Sequence, residues 1–288
     1  MKIIPALSML VILLALAACA QGETDGGPAV TQPVSQSDMG AEPASTPSLP
    51  QAESGSSQDD EETDAQTDGL PDKVLTASTC CGMVVDIYRY NYIPDAQVWG
   101  DGRILWIEYL QDGSRLVQEG WLTPQQLADL LEEIEQAGFF TWESRYSSDS
   151  APSDLPEKCI SIQTRTRTKQ VCEYYSGAPQ AFHTLYEKVS QGAGLEGQEF
   201  IPETGFLTAY PAAGEPENPA AVPQWQVSEP GVSLREAEGG VWVEGTALQT
   251  AWEIINADLF GHLVYEDNQL YQLSVQVPGV SFTKPPQP

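Results

Sequence analysis

From residue 83 onward, apolar positions recur first with the period of strands and then with the period of helices. Met83 to Tyr90 is rich in β-branched and aromatic residues, and a second run spans Asp95 to Trp99. Gly100-Asp101-Gly102-Arg103 follows, and an Asp-Gly between apolar runs predicts a hairpin because the turn needs positive φ. Ile104 to Leu110 then reads as a strand with both faces covered: Ile104, Trp106 and Leu110 on one, Leu105, Ile107 and Tyr109 on the other. Gln111-Asp112-Gly113-Ser114 repeats the turn chemistry, and Arg115 to Trp121 returns, giving an antiparallel meander. Thr123, Pro124 and Gln126 form an N-cap, first-turn proline and capping box, and Leu127, Leu130, Leu131 and Ile134 make the stripe of a helix that ends at Gly138. Phe139, Phe140 and Trp142 cover something apolar. A second helix begins near Pro179 and carries Phe182, Leu185, Tyr186 and Val189 at helical spacing.

After Gly192 the texture turns to Gly, Pro and Ala through Val222, which reads as an extended connector. Beyond it come a short strand at Val241 to Val243, a helix with Thr246 and Gln249 as its capping box, and a hairpin turning at Asp267-Asn268. In the last strand Tyr271, Leu273, Val275 and Val277 alternate with Gln272, Ser274 and Gln276, the pattern of a half-exposed strand, and the tail after Pro278 reads as frayed. The fold class expected is α+β: an antiparallel meander and hairpins packed against two or three helices, preceded by a disordered tether. The domains expected are a leader at 1–18, a linker at 19–71, an α+β domain at 72–192 and a segment at 193–288 whose packing onto that domain is left open.

The beginning of the chain changes the picture from fold to address. Lys2, an apolar run from Ile3 to Leu16 and then Leu16-Ala17-Ala18-Cys19 follow the plan of a secretory signal and resemble a bacterial lipoprotein signal. That resemblance implies a mature chain starting at Cys19, lipidated on its sulfur and held by two or three acyl chains, which anchor stably where one does not. Gln21, Gly22 and Glu23 arrive too early for a membrane span of roughly twenty apolar residues. Residues 20 to 71 contain 11 acidic and no basic residues and hardly any large apolar one. Such a segment cannot offset the entropy of ordering, and as a flexible coil it reaches roughly 40 Å. Asp59, Asp60, Glu61, Glu62 and Asp64 lack the spacing and turn glycine of a calcium loop.

The formal net charge of −28 argues against nucleic acid as a partner, since each phosphate contact needs Lys or Arg. Four cysteines follow Cys19. An exported compartment favours disulfides, and a hairpin centred on Arg165-Thr166 puts Cys159 opposite Cys172 at a non-hydrogen-bonded position, where side chains approach most closely. Arg-Thr is poor chemistry for a tight primed turn, so pairing with Cys80 or Cys81 stays open. Zinc finds neither a C-x-x-C pair nor a nearby histidine.

The order strands, helix, hairpin, helix over about residues 74 to 190 resembles an uncharacterised domain of exported bacterial lipoproteins. Cys81-Gly82, Gly100-Asp101-Gly102, Ala137-Gly138-Phe139-Phe140 and the Cys159 to Cys172 hairpin carry the resemblance. Family members often have a Cys-x-Gly-x-Cys-Pro run, where this chain has Cys80-Cys81-Gly82-Met83. The resemblance brings no activity with it.

Candidate chemistry is sparse. The two histidines, His183 and His262, sit respectively on a helix and in a loop, without the surroundings of a Ser-His-Asp triad, and no nucleophile elbow, zinc helix or phosphate loop occurs. No catalytic residue, cofactor or metal site is therefore assigned. Seven tryptophans are a surplus, and Trp142 and Trp225, with polar or Pro-rich neighbours, are the candidates for ligand or partner contact. The function expected is that of a non-enzymatic lipoprotein of the cell envelope, anchored through lipid on Cys19, that binds a protein partner. A module for cell-wall glycan or a small solute is the alternative, and an acid-pair hydrolase the third reading.

Overall fold

The computed structural model describes residues 70, 72–216, 218–226, 231–257 and 262–287. Cys19, the leader and nearly all of the acidic stretch lie outside the described residues. Within them the chain is α+β, with twelve strands in two sheets and four α-helices. The first sheet contains β1 (Lys73–Cys80), β2 (Ala96–Trp99), β3 (Arg103–Tyr109), β4 (Arg115–Trp121), β5 (Arg145–Ser147), β6 (Glu157–Gln163), β7 (Thr168–Tyr174) and β8 (Gln198–Glu199). Their spatial order is β5-β7-β6-β1-β2-β3-β4-β8. All neighbours are antiparallel except β5 and β7.

Helices α2 (Pro124–Gln136) and α3 (Gln180–Ser190) cover one face of this sheet. Val98, Ile104, Trp106, Ile160, Ile162 and Val171 from the strands meet Leu127, Leu130, Ile134, Phe182 and Leu185 from the helices in one core. Phe139 and Phe182 are fully buried there, each contributing about 1.5–3 kcal/mol of transfer free energy. The predicted capping box of α2 is formed, with Thr123 accepting from Gln126 N–H and the Gln126 side chain returning to Thr123 N–H. Gly138 ends the segment at φ +82°, a conformation open to glycine.

The second sheet contains β9 (Thr204–Pro211), β10 (Val241–Glu244), β11 (Leu263–Glu266) and β12 (Gln269–Gln276) in the order β10-β9-β12-β11, with α4 (Gly245–Ala257) packed on it. Leu105, Ile107 and Val117 from the far side of the meander join Leu207, Leu248, Trp252 and Leu273 in a second core. Both faces of β3 are thus covered, by α-helices on one side and by the second sheet and α4 on the other. Arg115 ties the halves together: its buried guanidinium donates to Asn256 Oδ1 of α4 at 2.5 Å and to Asn91 O at 2.8 Å.

Five features differ from the reading of the sequence. Residues 83–90 do not form a strand. They form a loop and a short helix, α1 (Asp86–Tyr90), and Met83 and Val85 are exposed, both edges of β1 being taken by β2 and β6. The connector after Gly192 holds β9, an inner strand of the second sheet, whose buried Gly205, Leu207 and Ala209 alternate with polar or aromatic positions. Helix α4 begins at Gly245, so Thr246 lies inside its first turn and does not cap it. Strand β12 is not half-exposed: Ser274 and Gln276 are buried along with the apolar set. Its free edge is occupied by the side chain of Asn91, which accepts from Val275 N–H and donates to Leu273 O in place of a neighbouring strand. The tail is not frayed either. It folds back along the first sheet, with Phe282 N–H donating to Tyr92 O, Gln97 to Val280 O and Thr283 to Arg89 O, and Val280 is buried.

Turn chemistry explains the hairpins. At Gly102 and Gly113 a single left-handed glycine closes a loop in which Asp101 and Asp112 accept from the backbone two residues on. A Cβ at Gly102 would meet Leu122 O at 2.2 Å. Asp267 and Asn268 both take positive φ, the requirement of a two-residue primed turn.

Candidate functional site

A row of polar side chains crosses the first sheet on the face that the helices do not cover. Gln97 of β2 pairs with Thr76 of β1, Thr76 with Ser161 of β6, and Ser161 with Gln170 of β7. Direct partners on neighbouring strands project to the same face, at a spacing of about 4.8 Å from strand to strand. The row continues into Leu105 of β3, which pairs with Gln97 and is buried in the second core. The same sheet face is therefore apolar where the second sheet covers it and polar beside it.

One row further along the strands, Ser78 pairs with Cys159 and Cys159 with Cys172. Cys159 and Cys172 are joined in a disulfide with Cα atoms 4.1 Å apart. Cys172 N–H donates to Ser144 O on the β5 side at 3.0 Å, so the pair is non-hydrogen-bonded toward β6, the arrangement that brings side chains close. The turn holds without Asn-Gly because Thr164 takes over: its hydroxyl accepts from Arg167 N–H and its own N–H donates to Arg167 O. Cys80 ends β1 and Cys81 follows it, neither of them joined to Cys159 or Cys172. Glu157, Cys159 and Cys172 also lie close enough to suggest a metal site, but the disulfide occupies both sulfurs.

The polar row forms the floor of a cleft of about 610 Å³. Thr204 of β9, Trp242 of β10 and residues of the tail between Pro278 and Gln287 complete its lining. Trp242 packs edge to face on Phe206, with ring centroids 5.7 Å apart. Among the described residues, Lys73, at the start of β1, and Lys284, in the tail, are the charged side chains lining the cleft, and none of its described lining residues is a carboxylate. Lys73 donates to Gln97 Oε1 and to Gly279 O, and lies over the Trp99 ring. Burial, with the nearby charges of Lys284 and Arg103, pulls its pKa down to about 8.

The tryptophans singled out from sequence lie elsewhere. Trp225 is 8% exposed, inside the second core, with its indole N–H donating to Val232 O. Trp142 packs edge to face against Phe139 and Phe182 under the first sheet. His183 lies 3.5 Å from Glu173, and buried His262 borders a small space beside Tyr92 and Arg115. Neither histidine lines the cleft.

A second polar cluster escaped the sequence reading. Tyr186 donates to the half-buried carboxylate of Asp95, Thr79 Oγ1 lies 2.8 Å from the same phenol oxygen, and Thr79 N–H donates to Tyr92. Burial raises the Asp95 pKa, and burial together with the Asp95 charge raises those of Tyr92 and Tyr186 above the ordinary phenol range. The cluster pins α3 to β1 and the start of β2.

Comparison with known proteins adds one match. Residues 94–193 match the family model of a domain of unknown function, DUF6438. The match leaves out β1, although β1 lies between β2 and β6 in the sheet and supplies Lys73, Thr76 and Ser78 to the cleft. It also leaves out the second sheet and the tail. No curated protein matches the chain, and no solved structure does.

Proposed function

We propose that this chain is a non-enzymatic lipoprotein of the bacterial cell envelope that binds a small solute or a segment of glycan in the cleft beside its polar row. The leader ending in Leu16-Ala17-Ala18-Cys19 supports acylation at Cys19 and export. The 11 acidic residues between 20 and 71, with no basic partner, support a solvated tether that holds the folded part off the membrane. Among the described residues no helix is long and apolar enough to cross a membrane.

The cleft carries the reading. Its volume of about 610 Å³ lies within the range of small-molecule sites, and it combines an aromatic wall with convergent polar groups. Hydroxyls and amides suit hydrogen bonding to a polyhydroxylated ligand, and an indole face suits a sugar ring. Its described lining offers neither carboxylate nor imidazole, which supports binding over acid-pair cleavage.

The test is titration of the purified full chain with solubilised cell-wall fragments, followed by tryptophan fluorescence and calorimetry. Saturable binding that is lost in Ser161→Phe, a variant that fills the floor, is the expected result. Flat titrations across all fractions, with the protein folded by circular dichroism, overturn the reading. Mass spectrometry of the N-terminal peptide from cells tests the anchor, and an unmodified Cys19 overturns it. A protein partner is the second reading, favoured by the exposed Met83 and Val85, 79% and 71% accessible on one loop.

A further inference from the structure

The polar row and the two lysines together specify more than a polar cleft. The chain has 41 acidic against 13 basic residues, yet the two charged residues lining the cleft among the described residues are both lysines. Neither is in an ion pair among the described residues, a condition they share with Lys158, Lys169 and other cations of the chain, but they are the ones that line this cleft. Lys73 is anchored at the end of the row by Gln97 Oε1 and Gly279 O. An ammonium has three donors, so one remains beyond those two acceptors.

We infer that the ligand is an acidic sugar: a saccharide whose carboxylate is held between Lys73 and Lys284, and whose hydroxyls bond to Thr76, Ser161 and Gln170. The inference rests on the reading of the cleft as a binding site. Charge selects the carboxylate, since two cations held apart from any anion gain most from an anionic guest. The row selects the saccharide, since neutral hydroxyls and an amide spaced across three strands match a series of ring hydroxyls better than a compact anion would. Trp242, which also lines the cleft, provides a flat apolar surface for a ring face. The acidic surface elsewhere does not cancel this attraction. Exposed charges beyond about 8 Å are largely screened at physiological ionic strength, while a charge-assisted hydrogen bond in the cleft acts at contact.

The experiment is isothermal titration of the purified full chain with three kinds of probe. The first is a panel of uronic-acid oligomers of galacturonate, mannuronate and glucuronate. The second is their neutral methyl esters, and the third is the simple carboxylates acetate and citrate. At least one uronic-acid oligomer is expected to bind, with its ester tenfold weaker or more. Lys73→Gln and Lys284→Gln are each expected to weaken the acid about five- to tenfold and to weaken the ester by clearly less. Esters that bind as well as acids, with both lysine variants silent, overturn the acidic ligand and leave the cleft a site for neutral glycan. Citrate or acetate binding as tightly as the oligomers overturns the saccharide. No binding by any uronic-acid oligomer overturns the inference, and if wall fragments also give flat titrations the reading of the cleft falls with it.

Discussion

Lys73 joins the site to the stability of the fold through one proton. Its pKa in the folded chain is about 8, against 10.5 in the unfolded one. Between those values the unfolded chain holds a proton that the folded chain lacks, so Lys73 makes stability rise with pH across that window. Tyr92 and Tyr186 act the other way. Their pKa values are raised on folding, so stability is lost above about pH 10, where the unfolded phenols ionise. Denaturation midpoints are therefore expected to climb from pH 7.5 to 9.5 and to fall beyond 10.5, and Lys73→Met should flatten the climb. Binding of an anion follows the same proton in reverse: affinity declines as pH rises through 8, because the neutral amine offers no charge. Lys284 and Arg103 are the charged groups that act on it there.

Asp95 illustrates a different balance. Its pKa is raised by burial, so its contribution to stability is fully present below the ordinary carboxylate value of 3.8 and is lost as pH rises through the folded value. Asp95→Asn is expected to leave stability at pH 7 unchanged or higher. Tyr186→Phe removes the donor to Asp95 and should cost about 1–3 kcal/mol in denaturant unfolding.

At the scale of elements, the Cys159–Cys172 disulfide locks the register that aligns Ser161 with Gln170. Cys159→Ala with Cys172→Ala is expected to lower unfolding free energy by about 2–4 kcal/mol and to weaken any ligand that uses the row. The meander, both helices α2 and α3 and the cysteine hairpin were legible in the sequence because their signals are local: turn glycines, a capping box and apolar periodicity. The segment Lys73–Cys80 was not read as a strand, since Thr and Ser at alternate positions dilute its apolar set and only pairing on both edges makes it central. The polar row was hidden for the same reason. Gln97, Thr76, Ser161 and Gln170 belong to four strands that no short-range rule brings into register. Trp242 was indistinguishable from the other tryptophans because its place depends on β9, which the Gly- and Pro-rich texture disguised.

At the scale of the molecule, the two cores share the meander, so the halves should not separate cleanly. A fragment ending at Gly192 uncovers Leu105, Ile107 and Val117. It is expected to be insoluble or to expose apolar surface to a hydrophobic dye, whereas the chain to residue 287 is not. Arg115→Ala leaves Asn256 Oδ1 and Asn91 O without their buried donor. It should destabilise both halves together in a single transition, read by circular dichroism and tryptophan emission.

The tail crosses back to β1, β2 and α1 over very long distances in sequence: 206 residues from Gly279 to Lys73, 183 from Val280 to Gln97 and 194 from Thr283 to Arg89. Contacts of that separation form late. During synthesis, a chain still lacking residues 278–287 has the floor of the cleft but not the lining that the tail supplies, and it has one of the two lysines. A chain without those residues thus lacks a finished cleft, whose lining is complete only when both ends of the folded unit have met.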